Sequence, residues 1–152
     1  MNGEFKSTPE GRKFVEDLVA SAKRWKPAIN RCVKRIAEKC AADVRLVVER
    51  QTFPNARISK AWMDRKAREG LDPRVLIATR KYIKSIQPMQ VQDGVWAVTC
   101  SDLELRKRLE FGTRTMKARP HWGPVLDEYQ RNFAKLFAKE VLNDVFGKGQ
   151  LT

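Results

Sequence analysis

The chain carries a single histidine and three cysteines, Cys32, Cys40 and Cys100. One imidazole excludes histidine pairs, and with them most zinc and iron sites. Any Ser-His-Asp or Cys-His arrangement would have to use that one residue, His121. It sits between Pro120 and Trp122, a setting that suits a packed imidazole better than a general base. The cysteines are odd in number and lack CxxC spacing, so they read as buried free thiols rather than a disulfide framework or zinc ligands. No GxGxxG, GxxxxGKS/T or HExxH pattern occurs. Asp102, Glu104 and Glu110 stand among basic residues, where ion pairing accounts for them without catalysis. These residues therefore predict no catalytic group, no metal ligand, no cofactor and no enzyme.

Contact with polyanions is the chemistry the composition does favour. Lys and Arg number 31 against 18 Asp and Glu, a net charge of +13. A positive field of that size attracts nucleic acid first. Yet there is no zinc-finger spacing, no aromatic RNP strand and no placeable helix-turn-helix, so proximity to phosphates fits better than base reading. The densest basic cluster, Arg106, Lys107, Arg108, Arg114, Lys117 and Arg119, flanks the stretch LEFGTRTMKARPHWGP, Leu109 to Pro124. There an acid and an aromatic run into Gly112, a basic arm follows, and Pro-His-Trp-Gly-Pro opens onto an apolar run. Gly112 is expected to adopt a conformation that other residues resist, letting a strand turn sharply. Thr113 to Arg119 would then project as an arm, Ala118-Arg119-Pro120 would redirect the chain, and Trp122 would wedge the next helix against a sheet. A fold corner alone explains Gly112 and Trp122. The arm residues Arg114, Lys117 and Arg119 are the candidates to face a DNA path or a partner.

The elements that must position this junction read as follows. Ser7-Thr8-Pro9-Glu10 has capping-box spacing, and a helical stripe then runs Phe14, Leu18, Ala22, Trp25, Ile29, Cys32/Val33, Ile36 and Cys40. Pro27 predicts a kink or break near Lys26. The other face, with Lys23, Arg24, Arg31, Lys34, Arg35 and Lys39, reads as a solvated face ahead of a polyanion stripe, because Glu38, Asp43 and Glu49 interrupt it. RQTFPNARIS is a loop, and SKAWMDRKAREGLDP a short basic helix closed by Gly70 and stopped by Pro73. A further short helix is expected from Val75 to about Thr79. Tyr82, Ile83 and Ile86 begin a β-prone segment that Pro88 interrupts. MQVQDGVWAVTC is a hairpin, with Asp93-Gly94 supplying positive φ angles. Leu103, Leu105, Leu109 and Phe111 alternate with charges at strand period, with a helical turn over the first half left open. A last helix starts at Pro124, carries the stripe Val125/Leu126, Tyr129, Phe133, Leu136/Phe137, Val141 and Val145, and is capped at Gly147.

At 152 residues the chain is expected to form one domain, 1–152, with 1–6 and 148–152 as loose tails. It has no apolar run of about 18 residues and its N-terminus lacks an apolar h-region, so neither a membrane span nor secretion is expected. The predicted class is α+β: a long N-terminal helical region, a small antiparallel β-sheet of three to four strands, and a C-terminal helix packed on the sheet.

The junction resembles the signature of phage neck proteins, the tail-completion or head–tail joining family of long-tailed bacteriophages. There an acid, an aromatic, Gly and Thr end a strand, and after a short loop Ala-Arg-Pro and an aromatic enter the last helix. Glu110, Phe111, Gly112, Thr113, Ala118, Arg119, Pro120 and Trp122 match that corner. Upstream, Trp62, RKAREG and LIATRKYIKSI are similar to the family's segments ahead of a hairpin like VQDGVWAV, so the likeness spans Trp62 to Tyr129. Arg80 stands where the family usually has Gly, the Tyr-Ala pair is absent around Leu105-Arg106, and His121-Trp122 replaces Phe-Leu. The resemblance implies a structural virion protein, assembled in the host cytoplasm, that completes the tail and joins it to the head connector. It implies a homo-oligomeric ring around the DNA path. Its partners would be a connector or stopper ring, a tail terminator or tail tube, and duplex DNA met without sequence specificity. The runner-up is a basic, non-specific nucleic-acid-binding accessory protein.

Overall fold

A single helix of 42 residues, α1 (Pro9–Arg50), organises the computed structural model, which describes residues 9–77 and 80–146. Its inward positions Cys32, Ile36, Cys40, Val44 and Val48 recur every four residues and are buried with Ala37 and Ala41 beside them, whereas Trp25 and Ile29 of the expected stripe are exposed. The break expected near Lys26 is absent, and the helix runs through Pro27. Lys23, Lys26 and Pro27 are exposed there, so water can take the place of the missing N–H partner. Ser7 and Thr8 of the expected capping box, the cap at Gly147 and the tails lie outside the described residues. Gln51, at φ 56°, ends α1. Its side chain also pairs with the Val75 peptide in both directions, at 2.9 and 3.0 Å, tying the helix end to the loop before Lys81.

The remaining elements are α2 (Lys60–Arg68), α3 (Lys81–Ser85), β1 (Gln87–Gln92), β2 (Val95–Thr99), α4 (Leu103–Phe111) and α5 (Gly123–Phe146). Ser59 caps α2 and Gly70, at φ 66°, follows its end. Val75–Ile77 is a turn rather than the expected helix, with Leu76 at φ 65°. Ala78 and Thr79 lie outside the described residues. Tyr82 and Ile83 are helical instead of β, and the strand starts only at Gln87, with Pro88 inside it opposite Val98. The other edge of β1 is unpaired among the described residues, which is where a residue without an N–H is tolerated. In the hairpin turn only Gly94 has positive φ, 77°, and a bulge lies between Gln90 and Gln92.

The sheet is two-stranded, not three- or four-stranded. The predicted strand over Leu103–Phe111 is helix α4, because Asp102 accepts a capping bond from Leu105 N at 2.8 Å. Leu, Glu, Arg and Lys all propagate a helix well, and among its alternating apolar residues only Leu109 is buried. Two strands present too little surface to seat a 24-residue helix, and α5 packs along α1 rather than on the sheet. One buried cluster gathers Cys40, Ala41 and Val44 of α1 with Ile86, Cys100, Trp122 and Val125. A second joins Val48, Ile77 and Ile83.

Half of the basic face of α1 is committed to ion pairs, although Arg31 and Lys39 stay more than half exposed. Arg31 and Arg35 each reach Asp144 at 2.7 Å, and Arg35 and Lys39 pair with Glu140, which is buried. Hydrogen bonds from both arginines hold the Asp144 carboxyl down to about 2. This seam fixes α5 against α1 alongside the Tyr129 hydroxyl, which donates to Asp43 at 2.6 Å.

Candidate functional site

The junction closes into a corner between α4 and α5. Helix α5 has no acid in its first turn, so its leading N–H groups need a partner from elsewhere. Glu110, near the end of α4, supplies it. Its Oε2 accepts from His121 N and Trp122 N at 3.1 Å each, and its Oε1 from Gly123 N at 2.7 Å. The carboxylate thus satisfies three donors at once and places negative charge at the helix N-terminus. A Cβ at Gly123 would stand 2.8 Å from Oε1, so the missing side chain is what lets the cap approach.

Gly112 takes φ 76°, and a Cβ there would meet the Met116 carbonyl oxygen at 2.7 Å and Ala118 N at 2.8 Å. The chain turning at Gly112 leaves a helix rather than a strand. The residues after it fold back instead of projecting. Thr113 N donates to Met116 O at 2.8 Å, and Met116 N donates to the Thr113 hydroxyl at 3.1 Å. Arg119 N then donates to Leu109 O at 2.7 Å, returning the chain to α4. The loop after α1 locks the arm from outside: Asn55 donates to Ala118 O at 2.8 Å, and Arg119 Nε donates to Asn55 O at 3.0 Å.

His121 is fully buried and both ring nitrogens are occupied. Its Nδ1 lies 2.7 Å from the Arg119 carbonyl, which can only accept, so Nδ1 carries the proton. Nε2 therefore accepts from the Tyr82 hydroxyl at 2.6 Å, and that oxygen accepts from Trp122 Nε1 at 2.9 Å. Burial lowers the imidazole pKa and raises that of the phenol, so the relay is neutral. Trp122, 1% exposed, fills the main core cluster, with the Arg106 guanidinium 4.4 Å from its ring centre.

The structure divides the residues singled out in sequence. Glu110, Gly112, Thr113, Ala118, Arg119, Pro120 and Trp122 meet at the corner or its arm. Phe111 does not join them: it is 81% exposed and edges an apolar groove of about 400 Å³ with Leu103 and Leu126. The basic cluster splits too. Arg106 covers Trp122, Lys107 pairs with Glu104 at 3.0 Å, and Arg119 is held by Asn55. Arg108, Arg114 and Lys117 are exposed and have no ion-pair partner among the described residues. Sequence reasoning missed Asn55 and Tyr82, whose partners lie 39 or more positions away and leave no local signal. It also missed Glu110 as a cap, although an acid followed by a helix with none in its first turn is a readable clue.

The three cysteines are buried and free, and desolvation pushes the Cys40 thiol up to about 11. Among the described residues no cluster of His, Cys, Asp and Glu is placed to hold a metal, and no helix is long and apolar enough to cross a membrane. No family model, curated protein or solved structure matches the chain.

Proposed function

We propose that this chain is a structural protein of a long-tailed phage virion, acting without catalysis to complete the tail and join it to the head connector. It does so as copies of itself arranged around the DNA path. The observation that carries the reading is the corner itself: Glu110, Gly112, Arg119 and Trp122, scattered through the resembled motif, converge as cap, turn, clasp and core plug. Arg80, a departure from the resembled pattern, is compatible with it. It stands where the resembled family has Gly, and it adopts φ 58°, a left-handed conformation that Gly takes without steric cost.

In this account the corner is rigid scaffolding, and assembly uses the surfaces around it through shape and charge complementarity. The test is the mass of the purified protein, alone and mixed with tail tubes. A closed ring forming on tube ends is expected; a monomer that ignores tubes overturns the reading. The uncommitted cations near the arm favour the second reading, a basic nucleic-acid-binding accessory protein. Tight binding to free duplex with steep salt dependence and no ring would select it.

A further inference from the structure

Two open grooves flank the loop between α1 and α2. One, of about 640 Å³, lies between that loop and the arm, with Asn55, Arg57, Lys117 and Arg119 in its lining. The other, of about 570 Å³, runs toward α2 past Met63 and Arg74. Ala56 and Arg57 line both, so the two grooves adjoin at Arg57 and make up one strip of surface, the channel. Arg57, Arg74, Lys117 and Arg119 line it, and among the described residues no acidic side chain does.

The four cations are not equivalent. Arg74 is matched by Asp72 at 2.6 Å, and Arg119 spends its Nε on Asn55 O. Arg57 and Lys117 are exposed, with no ion-pair partner among the described residues. Their backbones are nevertheless fixed. Asn55, at φ 56°, staples the loop to Ala118, and the buried Phe53 packs 5.8 Å from the His121 ring. Cations held on preset walls lose little freedom when an anion arrives.

An open strip with the unpaired cations Arg57 and Lys117 on its walls, and Arg74 already balanced by Asp72 at its far end, suits a ligand that repeats a single negative charge along a line. Bases find no stacking platform there: among the described residues the only aromatic side chain in either lining is Phe53, which is buried. We propose that this channel binds the sugar-phosphate backbone of duplex DNA without reading its sequence, with Arg57 and Lys117 as the uncommitted contacts. The proposal deepens the neck reading, and rests on it for its setting, by naming the face turned to DNA.

The test is fluorescence anisotropy of the full chain with a labelled duplex of arbitrary sequence, across a salt series. Wild-type protein should bind, and Arg57→Glu with Lys117→Glu should weaken binding by about tenfold or more and lower the salt slope by roughly 2. A charge-matched control on α5, Arg131→Glu with Lys135→Glu, changes exposed residues away from the channel and should cost less than about threefold. If the first pair fails to fold, Arg57→Gln with Lys117→Gln replaces it. Equal losses in both pairs, or no duplex binding by the wild type at low salt, overturns the proposal. So does a channel pair that loses binding to polyglutamate but not to duplex, which would make the occupant an acidic protein segment. A failed ring test with this result intact would leave the channel on an accessory protein. An intact ring with this result failed would leave a neck protein that meets DNA elsewhere.

Discussion

Lys117 and Arg119 stand two positions apart in one arm and line one groove, yet their side chains are used differently. Arg119 is part of the corner, where each polar group of the junction's core is spoken for: carboxylate to amides, imidazole to carbonyl and phenol, guanidinium to Asn55. Lys117 lines the same groove, but like Arg57 it is left without an ion-pair partner among the described residues. The seam between α1 and α5 is a third case, with as dense a cluster of cations but with Glu140 and Asp144 set against them. A net charge of +13 therefore does not act as a uniform coat. Some of it builds the fold, and the part available to partners is what the fold leaves unmatched.

The difference can be broken most forcefully at Gly112. Gly112→Val should cost about 3 kcal/mol or more, because positive φ and two backbone contacts under 3 Å act together. Insoluble protein or a large fall in melting temperature is expected, and an unchanged melting curve would show that the corner is not closed. Glu110→Ala removes the cap from three amides and should cost about 2 kcal/mol, with Glu110→Gln recovering part of it. Thermal unfolding of both variants measures this, and equal, negligible losses would mean that water replaces the carboxylate.

The seam should respond to acid. The Asp144 carboxyl is held at about 2, below its unfolded value near 3.8, so its contribution is present above about pH 4 and is lost as pH falls toward 2. Asp144→Asn should lower stability at neutral pH by less than the loss of the cap and should lack that part of the acid limb. Denaturant titrations from pH 7 to 2 test it, and parallel curves for variant and wild type would contradict the pairing. The smallest effect belongs to the channel. Arg57→Glu with Lys117→Glu should leave stability within about 0.5 kcal/mol, since neither side chain is used by the fold. A large loss by the same titrations would place them with the corner.

Much of the helical frame was legible because it is local. The α1 stripe from Cys32 on and the Asp93-Gly94 hairpin follow from spacing and turn chemistry, and Gly112 from the conformation expected at an abrupt turn, although the turn leaves a helix. Helix α4 was not, because Leu103 and Leu105 imitate strand alternation while the deciding signal, Asp102 one residue earlier, is a cap. The seam was illegible for a different reason. Arg31 and Asp144 are 113 positions apart, and nothing near either announces the other. At the site, the types that matter at the corner were visible, but the job of Glu110 was not. Arg57 went unnoticed because it stands alone in a loop and gains meaning only when the arm folds beside it.

The neck assignment itself is tested most directly by counting particles. A phage lacking this chain should accumulate filled heads and finished tails separately in electron micrographs, and supplying the wild-type chain should restore joined, infectious virions. Joined particles at normal yield in its absence would contradict the account.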